Sequence, residues 1–231
     1  MYEPQHKIKI RWSPNFAYAI GLITSDGYLH KDGKHIRFAS KDLEQVINFK
    51  RCLNLSNKIG KNVRGGEIEK NYFYTGFGDK IFYKYLNSLG LMSAKSKIIK
   101  AVKVPDKRFP DFLRGLFDGD GTFYTFWDKR WPKSFAFKMS FASASTNFII
   151  WLKNKLTELY SVKGYIHKGA GVFNLEYTKG DSKKLYNAMY YDPKVLCLSR
   201  KYNKIKNALD KDKKLGLVFL QKSRNAAVAQ W

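Results

Sequence analysis

The chain has 231 residues, with 43 lysines and arginines against 19 aspartates and glutamates, and a formal net charge of +24. Hydrophobic residues make up 44% and aromatic residues 16%, enough to bury a core, which excludes wholesale disorder and leaves room for one large domain or two of ordinary size. The charge points to a polyanionic partner, most commonly nucleic acid, while the lack of a long uncharged apolar run speaks against a membrane partner. Cys52 and Cys197 form no CxxC, and His6, His30, His35 and His167 lack zinc-ligand spacing. The two cysteines therefore read as buried reduced thiols. The start, MYEPQHKIKIRW, has no apolar signal region, so the expected location is intracellular (cytoplasm, nucleoid or organelle matrix) rather than secreted.

In chain order, an apolar stretch over Asn15–Ser25 ends at Asp26-Gly27 and predicts a helix. YLH and HIRFAS then flank Lys31-Asp32-Gly33-Lys34, an Asp-Gly hairpin signal. DLEQVINFKRCLNL spaces Leu43, Val46, Ile47 and Leu53 helically. A second hairpin is expected to turn near Gly65-Gly66 and return through NYFYTGF, before a helix with Ile81, Phe82, Tyr85, Leu86 and Leu89 on one face. The order then repeats. Pro110–Gly119 ends at Asp120-Gly121, and a hairpin runs from TFYTFW to KSFAFKMSFAS, where Phe135, Phe137, Met139 and Phe141 alternate with polar or small residues. TNFIIWLKNKLTEL places Phe148, Trp151, Leu152, Leu156 and Leu159 in helical register; Phe173, Leu175 and Tyr177 alternate in the next strand; DSKKLYNAMY closes the copy. Phe38-Ala39-Ser40 matches Phe141-Ala142-Ser143, and Gly78-Asp79 is aligned with Gly180-Asp181.

The expected fold is α+β, with two pseudo-symmetric αββαββα halves. Each would hold a four-stranded antiparallel sheet backed by helices, its other face open. The halves are drawn as residues 1–92 and 110–221, separated by a basic linker at 93–109 and followed by a tail at 222–231.

Both leading helices place small residues four apart, Gly21 with Ser25 and Gly115 with Gly119, which lets two helix backbones approach closely. Glycine inside a helix costs about 1 kcal/mol relative to alanine, so it wants a packing reason, and a contact between these two helices supplies one. Asp26 and Asp120 each end a helix before a glycine in the usual C′ position. A carboxylate there opposes the helix dipole by about 0.3–1 kcal/mol, and two packed helices would bring two such acids together. A divalent cation would reverse both penalties, and oxygen-only ligation suits magnesium.

LRGLFDGDG (113–121) and AIGLITSDG (19–27) resemble the two signature helices of the LAGLIDADG homing endonucleases in their single-chain, two-motif form. The likeness runs from about Ser13 to Leu209 and includes the order of elements. It implies paired LAGLIDADG helices joining two saddle-shaped sheets that lie in the major groove of double-stranded DNA. It also implies a metal-dependent, staggered double-strand cut leaving 3′ overhangs in a long, non-palindromic target, with Asp26 and Asp120 as catalytic metal ligands for Mg2+. The carbonyls of Ser25 and Gly119 would supplement the coordination. Family members keep a basic residue from each half near the scissile phosphates. Laying SAKSKII (93–99) over SRKYNKI (199–205) carries that role to Lys95 and Lys201, with Lys97 and Arg200 as close rivals. Thr24 stands where the family often has an acid and the second motif has Asp118; in the family that position is usually structural, so the likeness implies intact activity in two halves that are not equivalent.

For base readout the open strand faces offer His30, Lys34, Arg37, Lys138, Asn174, Glu176 and Thr178, subject to strand register. The leading expectation is a monomeric site-specific DNA endonuclease. The alternative is an RNA-binding intron maturase on the same scaffold, with intron RNA as partner. A regulator without catalysis has no reason to hold two destabilising carboxylates together. The Met1 start, the Gln230-Trp231 end and the missing splicing cysteine and His-Asn argue against an intein.

Overall fold

A computed structural model describes residues 8–63, 71–129 and 131–228. The expected turn at Gly65-Gly66 lies outside the described residues. The first half runs α1 (Pro14–Asp26), β1 (Gly27–Leu29), β2 (His35–Ser40), α2 (Leu43–Cys52), β3 (Gly60–Asn62), β4 (Tyr72–Gly78) and α3 (Lys80–Ser88). The second repeats it as α4 (Phe109–Asp120), β5 (Gly121–Asp128), β6 (Trp131–Ser143), α5 (Thr146–Tyr160), β7 (Tyr165–Lys168), β8 (Phe173–Tyr177) and α6 (Lys179–Met189). A further helix, α7 (Ser199–Val228), follows and runs past the 221/222 boundary drawn from the repeat. The two antiparallel sheets share one strand order, β1-β2-β4-β3 and β5-β6-β8-β7.

Helices α1 and α4 form the centre. Ser13 caps α1 by accepting from the Phe16 amide at 3.1 Å, and Pro14 opens it. Residues Phe16–Thr24 are all buried, as are Phe109 and Asp111–Asp118 in α4. Helices apolar nearly all round belong inside a protein, and here they pack on each other. Their approach is too close for a side chain at the crossing. A Cβ on Gly21 would fall 2.7 Å from the Leu116 nitrogen, and one on Gly115 would fall 3.0 Å from the Tyr18 carbonyl carbon. The Tyr18 hydroxyl donates to Asp118 Oδ2 at 2.7 Å and ties the pair together.

Each helix runs without a loop into its first strand. Gly27 (φ −76°, ψ 139°) and Gly121 (φ −77°, ψ 148°) are extended, so neither is the left-handed C′ glycine expected from the sequence. Space selects them instead: a Cβ on Gly27 would fall 2.6 Å from Ile23 Cα, and one on Gly121 2.7 Å from Phe117 Cα. The Asp-Gly turn after β1 does use positive φ, at Gly33 (φ +71°), with Asp32 Oδ1 accepting from the Lys34 and His35 amides at 2.9 Å.

Pairing fixes the equivalences between halves. Gly27 opposes Phe38, and Gly121 opposes Phe141, so the Phe-Ala-Ser triplets coincide. The Gly-Asp pairs do not. Asp79 caps α3 through the Phe82 amide at 2.8 Å, whereas Asp181 lies inside α6, whose cap residue is Thr178. Ile36, Phe38, Thr75 and Phe77 bury one face of the first sheet, and Phe137, Met139, Phe141, Leu175 and Tyr177 one face of the second. Segment 93–109 is packed rather than loose: Lys95, Ile99 and Val102 are buried, and short 3-10 turns form at Lys95–Lys97 and Asp106–Arg108.

Candidate active site

Because α1 and α4 cross at their glycines, their C-terminal ends emerge side by side between the two sheets. Asp26 closes α1 and Asp120 closes α4. A Cβ on Gly119 would lie 2.8 Å from Asp26 Oδ2; the carboxylate of one helix end therefore rests against the backbone of the other, in space that only a glycine leaves open. Ser25 turns its hydroxyl back to the carbonyls of Leu22 (3.1 Å) and Gly21 (3.4 Å).

Lysines close the site from matching positions. Lys95, buried in its 3-10 turn, donates to the Gly27 carbonyl. Lys201, in the first turn of α7, donates to the carbonyls of Phe117 (2.7 Å), Gly119 (3.0 Å) and Gly121 (2.6 Å). Burial pulls both ammonium groups down to about 8; Asp120 and Asp26 act the other way on Lys95, as do Asp118, Asp26 and Asp120 on Lys201. Of the rivals, Lys97 is exposed to solvent and Arg200 is committed to Asp42 by two bonds of 2.7 Å.

The second acid of the fuller motif, Asp118, faces away from this site into the interior. Its Oδ2 accepts from the Tyr18 hydroxyl and the Leu198 amide, each at 2.7 Å. Burial pushes its carboxyl up to about 6, against the pull of those two bonds. Beside it Arg114, 1% exposed, donates to the carbonyls of Leu196 (2.8 Å) and Met189 (2.7 Å) and to Asp111 (2.9 Å). These buried bonds lash segment 189–198, which leads into Lys201, onto α4.

The donor set at the helix ends suits a hard divalent ion. It is made of the Asp26 and Asp120 carboxylates and the backbone carbonyls of Ser25 and Gly119, all oxygen. The Gly119 carbonyl already accepts from Lys201, but a carbonyl oxygen has two lone pairs. No group of three or more His, Cys, Asp and Glu able to hold a metal occurs among the described residues, so the remaining ligands would come from phosphate and water.

A cleft of about 350 Å3 leads from Asp26 across the first sheet, lined by Tyr28, Arg37, Asn62, Tyr72 and Lys95 among others. Arg37 lies on the open face with its guanidinium 3.9 Å from the centre of the Tyr74 ring. His30 follows β1, its ring 4.7 Å from that of Tyr28, and Lys34 sits in the hairpin turn. On the second sheet, Lys138, Asn174 and Glu176 share the open face, opposite the buried odd-numbered residues. Glu176 is occupied there: it accepts from Tyr124 (2.5 Å) and Lys138 (2.9 Å), with His167 3.8 Å away. Thr178 lies beyond the strand as the cap residue of α6. The polar residues of the two sheets are thus brought to one side, flanking the carboxylates. Tyr28, Asn62, Tyr72, Tyr124 and His167 join that surface without having been singled out in the sequence; cross-strand register puts them there, Tyr28 opposite Arg37, Asn62 opposite Tyr72, Tyr124 opposite Lys138 and His167 opposite Asn174.

No protein-family model matches the sequence, and no curated protein matches it. Solved structures do. The LAGLIDADG meganuclease I-AabMI bound to uncleaved DNA is similar over 92% of this chain and 92% of its own, at 15% identity and a TM-score of 0.57. Full-length DUF199/WhiA from Thermatoga maritima is similar over 95% of this chain and 71% of its own, at 13% identity and a TM-score of 0.56. A single-residue variant of I-DmoI, in complex with its target DNA in the presence of 2 mM Mg, is similar over 78% of this chain and 97% of its own, at 17% identity and a TM-score of 0.50. With its two matching sheets and paired central helices, the chain has the LAGLIDADG fold in the form that carries both halves on one polypeptide.

Proposed function

We propose that the protein is a site-specific DNA endonuclease of the homing type, making a magnesium-dependent staggered double-strand cut as a monomer. One observation carries the reading: two carboxylates, Asp26 and Asp120, end paired helices at one place between two open sheet faces, each with a lysine bonded to its helix end, Lys95 buried and Lys201 half-buried. A scaffold that only bound DNA would gain nothing from carboxylates facing a polyanion. The net charge of +24 supports phosphate binding by the surrounding surface. Because the open faces differ, aromatic with Arg37 on one and Lys138, Asn174 and Glu176 on the other, the target is non-palindromic.

In this reading Asp26 and Asp120 hold the metal, helped by the carbonyls of Ser25 and Gly119. Bound magnesium supplies positive charge against the charge that develops on the phosphoryl group and its leaving oxygen. Lys95 and Lys201 hold their ammonium groups against the carbonyl of the glycine that follows each carboxylate, placed to meet the same developing charge. Arg114 and Asp118 stay inside and keep the chain leading to Lys201 on α4.

The test is a duplex selected from a randomised library, incubated with protein and magnesium. Asp26→Asn or Asp120→Asn should abolish double-strand cleavage while DNA binding survives, and chelation with EDTA should do the same. Full cleavage by either variant would sink the assignment.

A further inference from the structure

The lysine at each helix end is held in place by the other half of the molecule. The register that aligns Phe38 with Phe141 places Asp42 and Ser145 at matching positions, each the cap residue of the helix after its hairpin, α2 and α5. The local geometry agrees: the Asp42 amide donates to Ser40 Oγ and the Ser145 amide to Ser143 Oγ, both at 3.1 Å. A cap aspartate normally accepts from its own helix. Asp42 makes no such bond; its two oxygens accept from Arg200 Nε and Nη2, each at 2.7 Å, across 158 residues of chain. Glu44, in the first turn of α2, accepts from the Ser199 amide at 3.1 Å and from its hydroxyl, and Asn48 donates to the Cys197 carbonyl at 2.9 Å. The first half thus grips the residues that flank Lys201. In return the Ser145 hydroxyl donates to the carbonyl of Ile99, whose own amide donates to the Lys95 carbonyl at 2.8 Å and closes the turn that carries that lysine.

We infer that Asp42 and Glu44 are the positioning residues for Lys201, and Ser145 for Lys95, so that each half aligns the basic group of the other half's cut. The two braces differ in kind. Ser145 is 2% exposed and its brace is a neutral, buried hydrogen bond. The Arg200 and Asp42 side chains are 60% and 24% exposed, so theirs is an ion pair that salt screens. Salt and charge substitutions should therefore act on one strand's cut before the other's. This strand asymmetry rests on the endonuclease reading; the placement of the lysines does not.

The experiment has two arms on the full chain. In single-turnover cleavage with saturating protein and a duplex labelled on both strands, Lys201→Met and Lys95→Met first identify the strand each lysine serves. Asp42→Asn should slow the Lys201 strand by roughly fivefold, the upper end for one well-formed exposed ion pair, and leave the other strand unchanged. Swapping the charges (Asp42→Arg with Arg200→Asp) should restore it, and Ser145→Ala should slow the opposite strand. Equal slowing of both strands, or none, would overturn the inference. The second arm uses the protein alone: reductive methylation of Lys201, read by peptide mass spectrometry, should speed up in Asp42→Asn/Glu44→Gln while that of Lys95 does not. An unchanged Lys201 rate would overturn the inference as well. If the wild-type protein cuts no DNA the endonuclease reading falls, and this arm still decides whether Asp42 and Glu44 place Lys201.

Discussion

Replacing Gly115 with alanine sets two physical effects against each other. Helix propensity alone favours the variant by about 1 kcal/mol, because alanine is the better helix former. Packing opposes it. The new methyl would sit 3.0 Å from the Tyr18 carbonyl carbon and 3.1 Å from Gly21 Cα, and still closer to the Tyr18 oxygen, all of them backbone atoms of α1 that no rotamer change can move. Relieving that overlap means separating two helices that are buried along most of their length, at about 3 kcal/mol, the upper part of the range for overpacking. The net expectation is a loss of about 2 kcal/mol, which for a chain of this size lowers the melting midpoint by about 4–8 °C. The assay is thermal unfolding by circular dichroism, with Gly180→Ala as control. A Cβ on Gly180 meets nothing within 4 Å, so that variant should hold or gain up to about 0.5 kcal/mol. A Gly115→Ala protein as stable as wild type, or more so, would refute the close helix crossing.

Arg114→Met should destabilise the chain by about 3–5 kcal/mol, because it leaves the Asp111 carboxylate buried without its ion partner; adding Asp111→Leu should recover much of the loss in urea titrations. Burial pushes the thiols of Cys52 and Cys197 up to about 12 from an ordinary 9.0. At pH 8 the native protein should then alkylate with iodoacetamide on the order of a thousandfold more slowly than the unfolded chain, the rate rising with pH as thiolate forms. Asp118 has its folded pKa raised to about 6 from 3.8, so its contribution to stability is fully present below pH 3.8 and is lost as pH rises through 6. Asp118→Asn should remove that downward slope from the stability profile between about pH 4 and 6, and a profile identical to wild type would count against the burial. Filter binding to a selected duplex should weaken steeply between about 50 and 200 mM salt, by roughly 10³-fold or more if about six phosphates are neutralised; a flat salt response would speak against the basic sheet faces as the contact surface.

Much of this protein is local information. Two helices with small residues four apart, each ending in Asp-Gly, followed by strands with period-two burial, are legible residue by residue, because helix and strand periods dictate which side chains share a face. The repeat and the fold class follow from that, and two helices with matching small residues carry the expectation that Asp26 and Asp120 end side by side. What remained open depended on atoms far apart in the chain. What separates Lys95 from Lys97, and Lys201 from its rival Arg200, is what each meets: Gly27, and Phe117 to Gly121, for the first of each pair, and solvent or Asp42 for the second. That Glu176 is held by Tyr124 of β5 and Lys138 of β6 depends likewise on strands far from it in the chain. The glycines after Asp26 and Asp120 are required by the proximity of Ile23 and Phe117 rather than by a left-handed turn. Residue identity and spacing set which groups exist and on which face of its own element each lies; burial, ion pairing and the bracing of one half by the other arise only when tertiary contacts remove water and give each charge its partner.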